Sequence, residues 1–218
     1  MRINKFVASA SGISRRAADA AISEGRIMVN GSLPQLGQAV GPKDIVIFDG
    51  KQLSQPAKPL TIMLNKPVGY VASRDGQGSK TVYDLLPPEY HNLKPVGRLD
   101  KDSSGLLLLT DDGAMANRLT HPSFGKEKTY LATLDKPLSD EHRARIEFGV
   151  RVEDYTSRLK LQQLGGNNYE VKMSEGKNRQ IRRTFAVLGY TVTKLHRTNF
   201  GEYALDNLTL GAFKPIAN

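Results

Sequence analysis

The chain has no cysteine and only four histidines among its 218 residues. Without thiols there is no disulfide framework, no thiolate zinc site and no thiol nucleophile. Four scattered histidines leave little for a metal cluster. No apolar run approaches the roughly 20 residues needed to span a bilayer, and Met1-Arg2-Ile3-Asn4 does not open as a signal peptide, so a cytoplasmic location is expected. Acidic residues are outnumbered, 22 against 31 lysines and arginines, which leaves a formal charge of +9 and a pI near 9.7. An apolar share of 39% with 24% charged residues excludes wholesale disorder, and the length suits one full domain plus a small one.

The positive charge falls in two blocks. Residues 1–58 carry eight lysines and arginines against four acids, and Lys172 to Arg197 carries seven against Glu175 alone. A solvated basic surface is one explanation; a molecule that grips a long anion at two places is the other. In the first block, Ile3, Phe6, Val7 and Ala10 have the spacing of an amphipathic helix, broken at Ser11-Gly12. Ser14 is placed to cap a second helix from Arg15 to Ile22, with Gly25 beyond its end. Arg26 to Gly31 and Val40 to Phe48 read as a short strand and a returning strand. Arg15 and Arg16 in a helix's first turn oppose its dipole, a placement better explained if phosphates face them. Arg2 and Lys5, Ser14-Arg15-Arg16 and Glu24 to Gly31 together resemble the RNA-binding domain first described in ribosomal protein S-four. The resemblance implies RNA contacts at Arg2, Lys5, Arg15, Arg16 and Arg26.

Beyond a polar, proline-containing linker, Leu60 to Pro67 reads as a strand and Gly69 to Ser73 as its successor. Thr81 to Leu86 reads as a short helix. Asp112 and Ser139 are placed to cap helices over 113–119 and 140–148. Lys128 to Leu134, Val150 to Asp154, Arg158 to Leu164, Tyr169 to Met173 and Tyr190 to Leu195 read as strands, and Asn178 to Leu188 as a helix with one basic face. The expected class is α+β: a small basic αβ module over 1–49, a linker over 50–59, and a larger, mainly antiparallel mixed-sheet domain over 60–218.

The centre of that larger domain is Gly97-Arg98-Leu99-Asp100-Lys101-Asp102-Ser103-Ser104-Gly105, running directly into four leucines. The leucines read as a strand buried on both faces, which pins a carboxylate-bearing turn to the core. Asp100 and Asp102 are turn formers on the simplest reading. A calcium loop is a second reading, since Asp100, Asp102, Ser104 and Gly105 fall at positions one, three, five and six of the helix-loop-helix pattern. Position nine is Leu108 and position twelve is Asp111 rather than the usual glutamate, and the flanks read as strands.

The third reading is catalytic. Gly97-Arg98-Leu99-Asp100 with Asp102 and Gly105 is joined by Leu64-Asn65-Lys66-Pro67-x-Gly69 upstream, then Glu127 to Tyr130, then Glu175 to Arg183. These four blocks, in this order, resemble RNA pseudouridine synthases of the branch that modifies bacterial ribosomal RNA. The resemblance implies isomerisation of uridine to pseudouridine without cofactor or metal. Asp100 would be the essential carboxylate, as nucleophile or as the base that generates a glycal intermediate. Arg182 would be its guanidinium partner or, alternatively, a phosphate-facing helix residue. Tyr130 would be the aromatic against the flipped base or, alternatively, a core residue of its strand. Arg98 would support the flipped nucleotide or pair with Asp102, while Lys177, Asn178, Arg179 and Arg183 would face phosphates. The expected partner is ribosomal RNA or a pre-ribosomal particle, met by a monomer. The wording of Asn178 to Arg183 leans to large-subunit (23S) over small-subunit (16S) RNA. A non-catalytic RNA-binding or ribosome-assembly protein would use the same basic blocks but have no need of the central turn.

Overall fold

The computed structural model describes residues 1–55 and 58–216. Pro56 and Ala57, within the expected linker, and Ala217 and Asn218 lie outside the described residues. The chain divides into two compact units, Met1–Pro59 and Leu60–Asn218.

In the first unit, helices α1 (Ile3–Ser11) and α2 (Arg15–Ser23) precede a small antiparallel sheet of β1 (Ile27–Val29), β2 (Val46–Phe48) and β3 (Lys51–Gln52). The Ser14 side chain caps α2 by accepting from the Ala17 amide, and Gly25 follows the helix at φ 72°. The apolar stripes Ile3, Phe6 and Val7 on α1 and Ala18, Ala21 and Ile22 on α2 close over Ile27, Val29, Val40 and Val46. That burial, rather than helix propensity, holds two helices of barely more than two turns each.

The second unit is built on a mixed sheet. Its strands are β4 (Thr61–Lys66), β5 (Lys94–Val96), β6 (Ser104–Thr110), β7 (Lys128–Leu134), β8 (Val150–Val152), β9 (Tyr155–Ser157), β10 (Lys160–Gly165), β11 (Asn168–Met173), β12 (Val192–Phe200), β13 (Tyr203–Ala204) and β14 (Phe213–Ile216). The main sheet runs β10-β11-β7-β12-β6-β4-β14, with β5 on β6 and β13 on β12, while β8 and β9 form a separate ribbon. All its pairings are antiparallel except β12 with β6. Helices α3 (Gly113–Thr120), α4 (Asp140–Phe148) and α5 (Gln180–Val187) interrupt the strands. Asp112 caps α3 and Ser139 caps α4.

Leu106 to Leu109 are wholly buried. Leu107 and Leu109 join the large core under α5, whereas Leu106 and Leu108 join a second core with Met115, Leu119 and Phe200. The leucine strand is therefore covered on both faces, as a central strand requires. The stretch Gly69 to Ser73, expected as a strand, is instead a loop whose one ladder contact is a bridge from Val71 to Thr81. Gly69 at φ 92° turns the chain away from the sheet. None of the described helices is long and apolar enough to cross a membrane.

Candidate active site

The turn between β5 and β6 sits against the sheet because of one close approach. Gly105 pairs in parallel with Arg197 of β12, and a Cβ on Gly105 would lie 2.2 Å from the Arg197 carbonyl oxygen. Its φ of 107° excludes an ordinary side chain as well. Below the turn lies Lys66, fully buried at the end of β4. Its Nζ donates to the carbonyls of Ser103 at 2.7 Å and Pro67 at 2.9 Å. Burial lowers its pKa to about 8, outweighing the attraction of Asp100 and Asp102. A desolvated ammonium thus ties the aspartate turn to the sheet. Lys66 lies in one of the four blocks, but periodicity alone marked it as a strand residue without a role.

Asp100 lines a cavity of about 720 Å³ and keeps 36% of its side chain exposed. The nearest guanidinium is that of Arg179, whose Nη1 is 3.7 Å from Asp100 Oδ2, a charge contact too long for a hydrogen bond. Arg182, the expected partner, makes no ion pair with Asp100. Its Nη2 donates to the Asp102 carbonyl at 2.8 Å, its Nη1 to the Val192 carbonyl at 2.5 Å, and its Nε stands 3.2 Å from Asp102 Oδ2. These commitments hold Arg182 between Val192 of β12 and Asp102 of the turn, two residues beyond Asp100. Burial pulls its pKa down, opposed by Asp102 and, more weakly, by Asp100. Arg179 also grips Asp102 with two bonds, at 2.9 and 2.7 Å, and holds that carboxyl below its usual range. Asp102 is therefore the hub of the two arginines, and the alternative pairing of Arg98 with Asp102 is not formed. Arg98 is exposed on the cavity wall instead. Residues 104–110 form a strand and the Asp102 carboxylate is occupied by arginines, so the calcium-loop geometry is absent.

Arg179 adopts a left-handed conformation, φ 47°, at the entry to α5. This uncommon geometry for a non-glycine residue coincides with its bidentate hold on Asp102. Gln180, buried behind it, accepts from the Lys177 amide and donates to Ser157 Oγ at 3.1 Å, which fixes the loop from Glu175 to Lys177. Tyr130 on β7 is buried but lines the cavity, and its hydroxyl has no hydrogen-bond partner among the described residues. Ile181 and Leu195 complete the apolar wall beside it. No site role follows from the sequence for Leu195, Lys128, Arg197 or Phe200: Lys128 stands in the block Glu127 to Tyr130 without a role of its own, Leu195 ends an expected strand, and Arg197 and Phe200 lie beyond it, on the part of β12 that the strand reading stops short of.

The other basic candidates have varied surroundings. Lys177 and Asn178 are exposed on the cavity wall, Lys177 Nζ standing 3.8 Å from the centre of the Tyr155 ring. Arg183 is tied to Glu153 on the protein surface rather than left free for phosphate. In the N-terminal unit, Arg2, Lys5 and Arg15 line one shallow depression with Met1, and Arg16 is exposed. Arg26 is held by both Asp49 oxygens, at 2.7 and 2.5 Å, and by Glu24 at 3.2 Å, so its charge is already matched within the unit.

Residues 60–187 match the RNA pseudouridylate synthase family and residues 1–46 the S4 domain. The chain is 38% identical to ribosomal small subunit pseudouridine synthase A of Salmonella typhimurium, with 99% of this chain and 96% of that protein covered. The counterpart in Escherichia coli K12 is 37% identical over the same shares. The dual-specificity RNA pseudouridine synthase RluF of Shigella flexneri is 34% identical, with 100% of this chain and 76% of that protein covered. A crystal structure of a pseudouridylate synthase superposes with a TM-score of 0.72 at 35% identity, over all of this chain and 96% of that one.

Proposed function

This chain belongs to the RNA pseudouridylate synthase family and is an RNA pseudouridine synthase acting on ribosomal RNA; from that premise we propose that it isomerises uridine in the small-subunit RNA, with Asp100 as the essential carboxylate. The names of the Salmonella and Escherichia relatives favour the small subunit. The lean toward large-subunit RNA rested on the wording of Asn178 to Arg183 alone and gives way to near full-length similarity.

The observation that carries the reading is the setting of Asp100: a partly exposed carboxylate in a wall shared with Tyr130, on a turn immobilised by Lys66, Arg179 and Arg182. The reaction breaks the N1–C1′ bond of uridine, rotates the uracil and forms a C1′–C5 bond; C5 loses its proton and N1 gains one. Asp100 serves either by attacking C1′ or by taking the C2′ proton to leave a glycal, and both need a carboxylate with no strong hydrogen bond to surrender. Asp100 has that freedom, because its neighbour Asp102 accepts the short bonds from Arg179. Arg182 acts in this scheme as a positioning residue through the Asp102 carbonyl. Tyr130 offers a face to the extruded base, against which stacking contributes about 1–3 kcal/mol. The RNA-binding candidates left without a protein carboxylate partner, Arg2, Lys5, Arg15, Arg16, Arg98, Lys177 and Asn178, are assigned to phosphates, while Arg26, Arg179 and Arg183 have protein carboxylates to hold first.

The test is tritium release from RNA carrying C5-labelled uridine, offered as 16S and 23S RNA from a strain lacking the gene, followed by mapping of the new pseudouridine. Release from 16S RNA is expected. Release from 23S RNA alone overturns the subunit assignment, and release from neither overturns the ribosomal substrate.

A further inference from the structure

The wall of the cavity that holds Asp100 also includes Gly97, Thr120, Gly125, Lys128, Arg197 and Phe200. Arg197 is 1% exposed, yet of its guanidinium nitrogens only Nε has a partner among the described residues, the Leu106 carbonyl at 2.8 Å. Its Nη2 is a buried donor with no acceptor among the described residues. Lys128 lies beside it: Arg197 Cζ and Lys128 Nζ stand 4.9 and 5.2 Å from the centre of the same Phe200 ring. Among the described residues the only hydrogen bond of Lys128 Nζ is to the Glu175 backbone carbonyl, at 3.1 Å. The Glu175 carboxylate is turned to Gln180. Among the described residues neither cation has a carboxylate within ion-pairing range.

Two uncompensated cations around one buried ring are an unfavourable arrangement unless an anion joins them. Burial, and the charge of Arg197, lower the Lys128 pKa. The aromatic face and two carbonyls ease the cost without cancelling either charge. We infer that Lys128 and Arg197 form a phosphate subsite that receives a backbone phosphodiester next to the extruded uridine. The proposal rests on the isomerase reading and adds to it the place where the backbone is held. Arg197 is the register partner of Tyr130, and Lys128 precedes Tyr130 by two residues on β7, hence on the same face about 7 Å away. A base on Tyr130 therefore has its adjoining sugar–phosphate backbone within reach of both side chains. Lys128 supplies the accessible ammonium, while Arg197, reaching the wall only at an edge, supplies the second charge and a free N–H.

The test measures the affinity of the full chain for single-stranded heptauridylate from about 50 to 300 mM salt. In Lys128→Gln the slope of log affinity against log salt is expected to shrink by about 0.7, the share of one phosphate on a single strand. Lys94→Gln, at the far end of β6 opposite Thr110, is expected to leave it unchanged. With methylphosphonate linkages in place of phosphates, wild type and Lys128→Gln should bind alike. Arg197→Lys, which keeps the charge but loses the forked donors, should weaken binding while keeping the slope. Thermal unfolding verifies that each variant is folded, with Lys128→Met used where Lys128→Gln is not. An unchanged slope in the folded Lys128 variant overturns the subsite. So does orthophosphate that raises the wild-type Tm, and not that of the variant, while the heptauridylate slopes stay equal: that result assigns the cations to a free phosphate. Normal tritium release with an unchanged slope removes the subsite alone. A reduced slope without tritium release from any ribosomal RNA removes the isomerase reading and leaves the subsite.

Discussion

Lys66→Met separates the two effects of the buried ammonium beneath the aspartate turn. A fall in pKa from 10.5 to about 8 means that keeping this one group charged in the folded chain at neutral pH has a net cost of roughly 3 kcal/mol, desolvation less the attraction of the two aspartates. Because the folded pKa is the lower one, the unfolded chain binds more protons between pH 8 and 10.5, so stability from this group rises with pH across that window. Between pH 7 and pH 9.5 the gain works out at about 2 kcal/mol. Methionine fills a similar volume and removes the charge, but it leaves the Ser103 and Pro67 carbonyls buried without a donor, at about 1–3 kcal/mol each. Wild type and Lys66→Met should therefore have similar stability at pH 7, and wild type should gain on Lys66→Met by about 2 kcal/mol at pH 9.5. Urea unfolding at both pH values reads this difference, in which titrations common to both proteins cancel. Turnover in Lys66→Met should fall at least tenfold with RNA affinity retained, because the turn carrying Asp100 loses its tether. Parallel stability curves, or full activity in the variant, would rule out this role for Lys66.

Gly105→Ala forces a Cβ to within 2.2 Å of the Arg197 carbonyl at a φ of 107°. It should lower stability by at least about 3 kcal/mol, which scanning calorimetry should register as a fall in Tm of roughly 6–12 °C. Asp102→Asn should cost under about 1 kcal/mol, since the ion pairs it breaks are partly exposed, but it frees Arg179 and should depress kcat far more than it raises KM. Asp102 has a lowered pKa in the folded chain, so its stabilising contribution is complete above the unfolded value near 3.8 and vanishes as pH falls through the folded one. Acid unfolding should accordingly begin at higher pH in wild type than in Asp102→Asn after normalising for neutral-pH stability. Tyr130→Phe keeps the stacking face and removes an unpartnered hydroxyl; RNA affinity should persist, and a loss of turnover in tritium release would place the hydroxyl in proton transfer at C5.

Much of this architecture could be read locally. Ser14, Asp112 and Ser139 mark helix starts because a cap depends on three or four neighbouring residues. The four leucines mark a doubly covered strand because their run is uninterrupted. Short edge pieces escaped: Lys94–Val96 and Phe213–Ile216 each contain a proline, which local rules set against a strand. Gly69 to Ser73 misled in the other direction, since its apolar residues pack without joining the ladder. The residue types of the site were visible in four separated blocks, but who holds whom was not. Arg179 and Arg182 reach Asp102 across 77 and 80 positions, and no periodicity encodes which of two aspartates lies nearer. Arg197 and Lys128 were hidden for a related reason: their lack of a counter-ion is a property of the folded neighbourhood, not of either strand.

Tritium release by Asp100→Asn, measured beside its affinity for the same ribosomal RNA, bears most directly on the isomerase site. The expected result is release below detection with affinity within about twofold of wild type, because the amide keeps the shape of the turn and loses the charge at the reacting sugar. Release within about tenfold of wild type from the purified variant would contradict it.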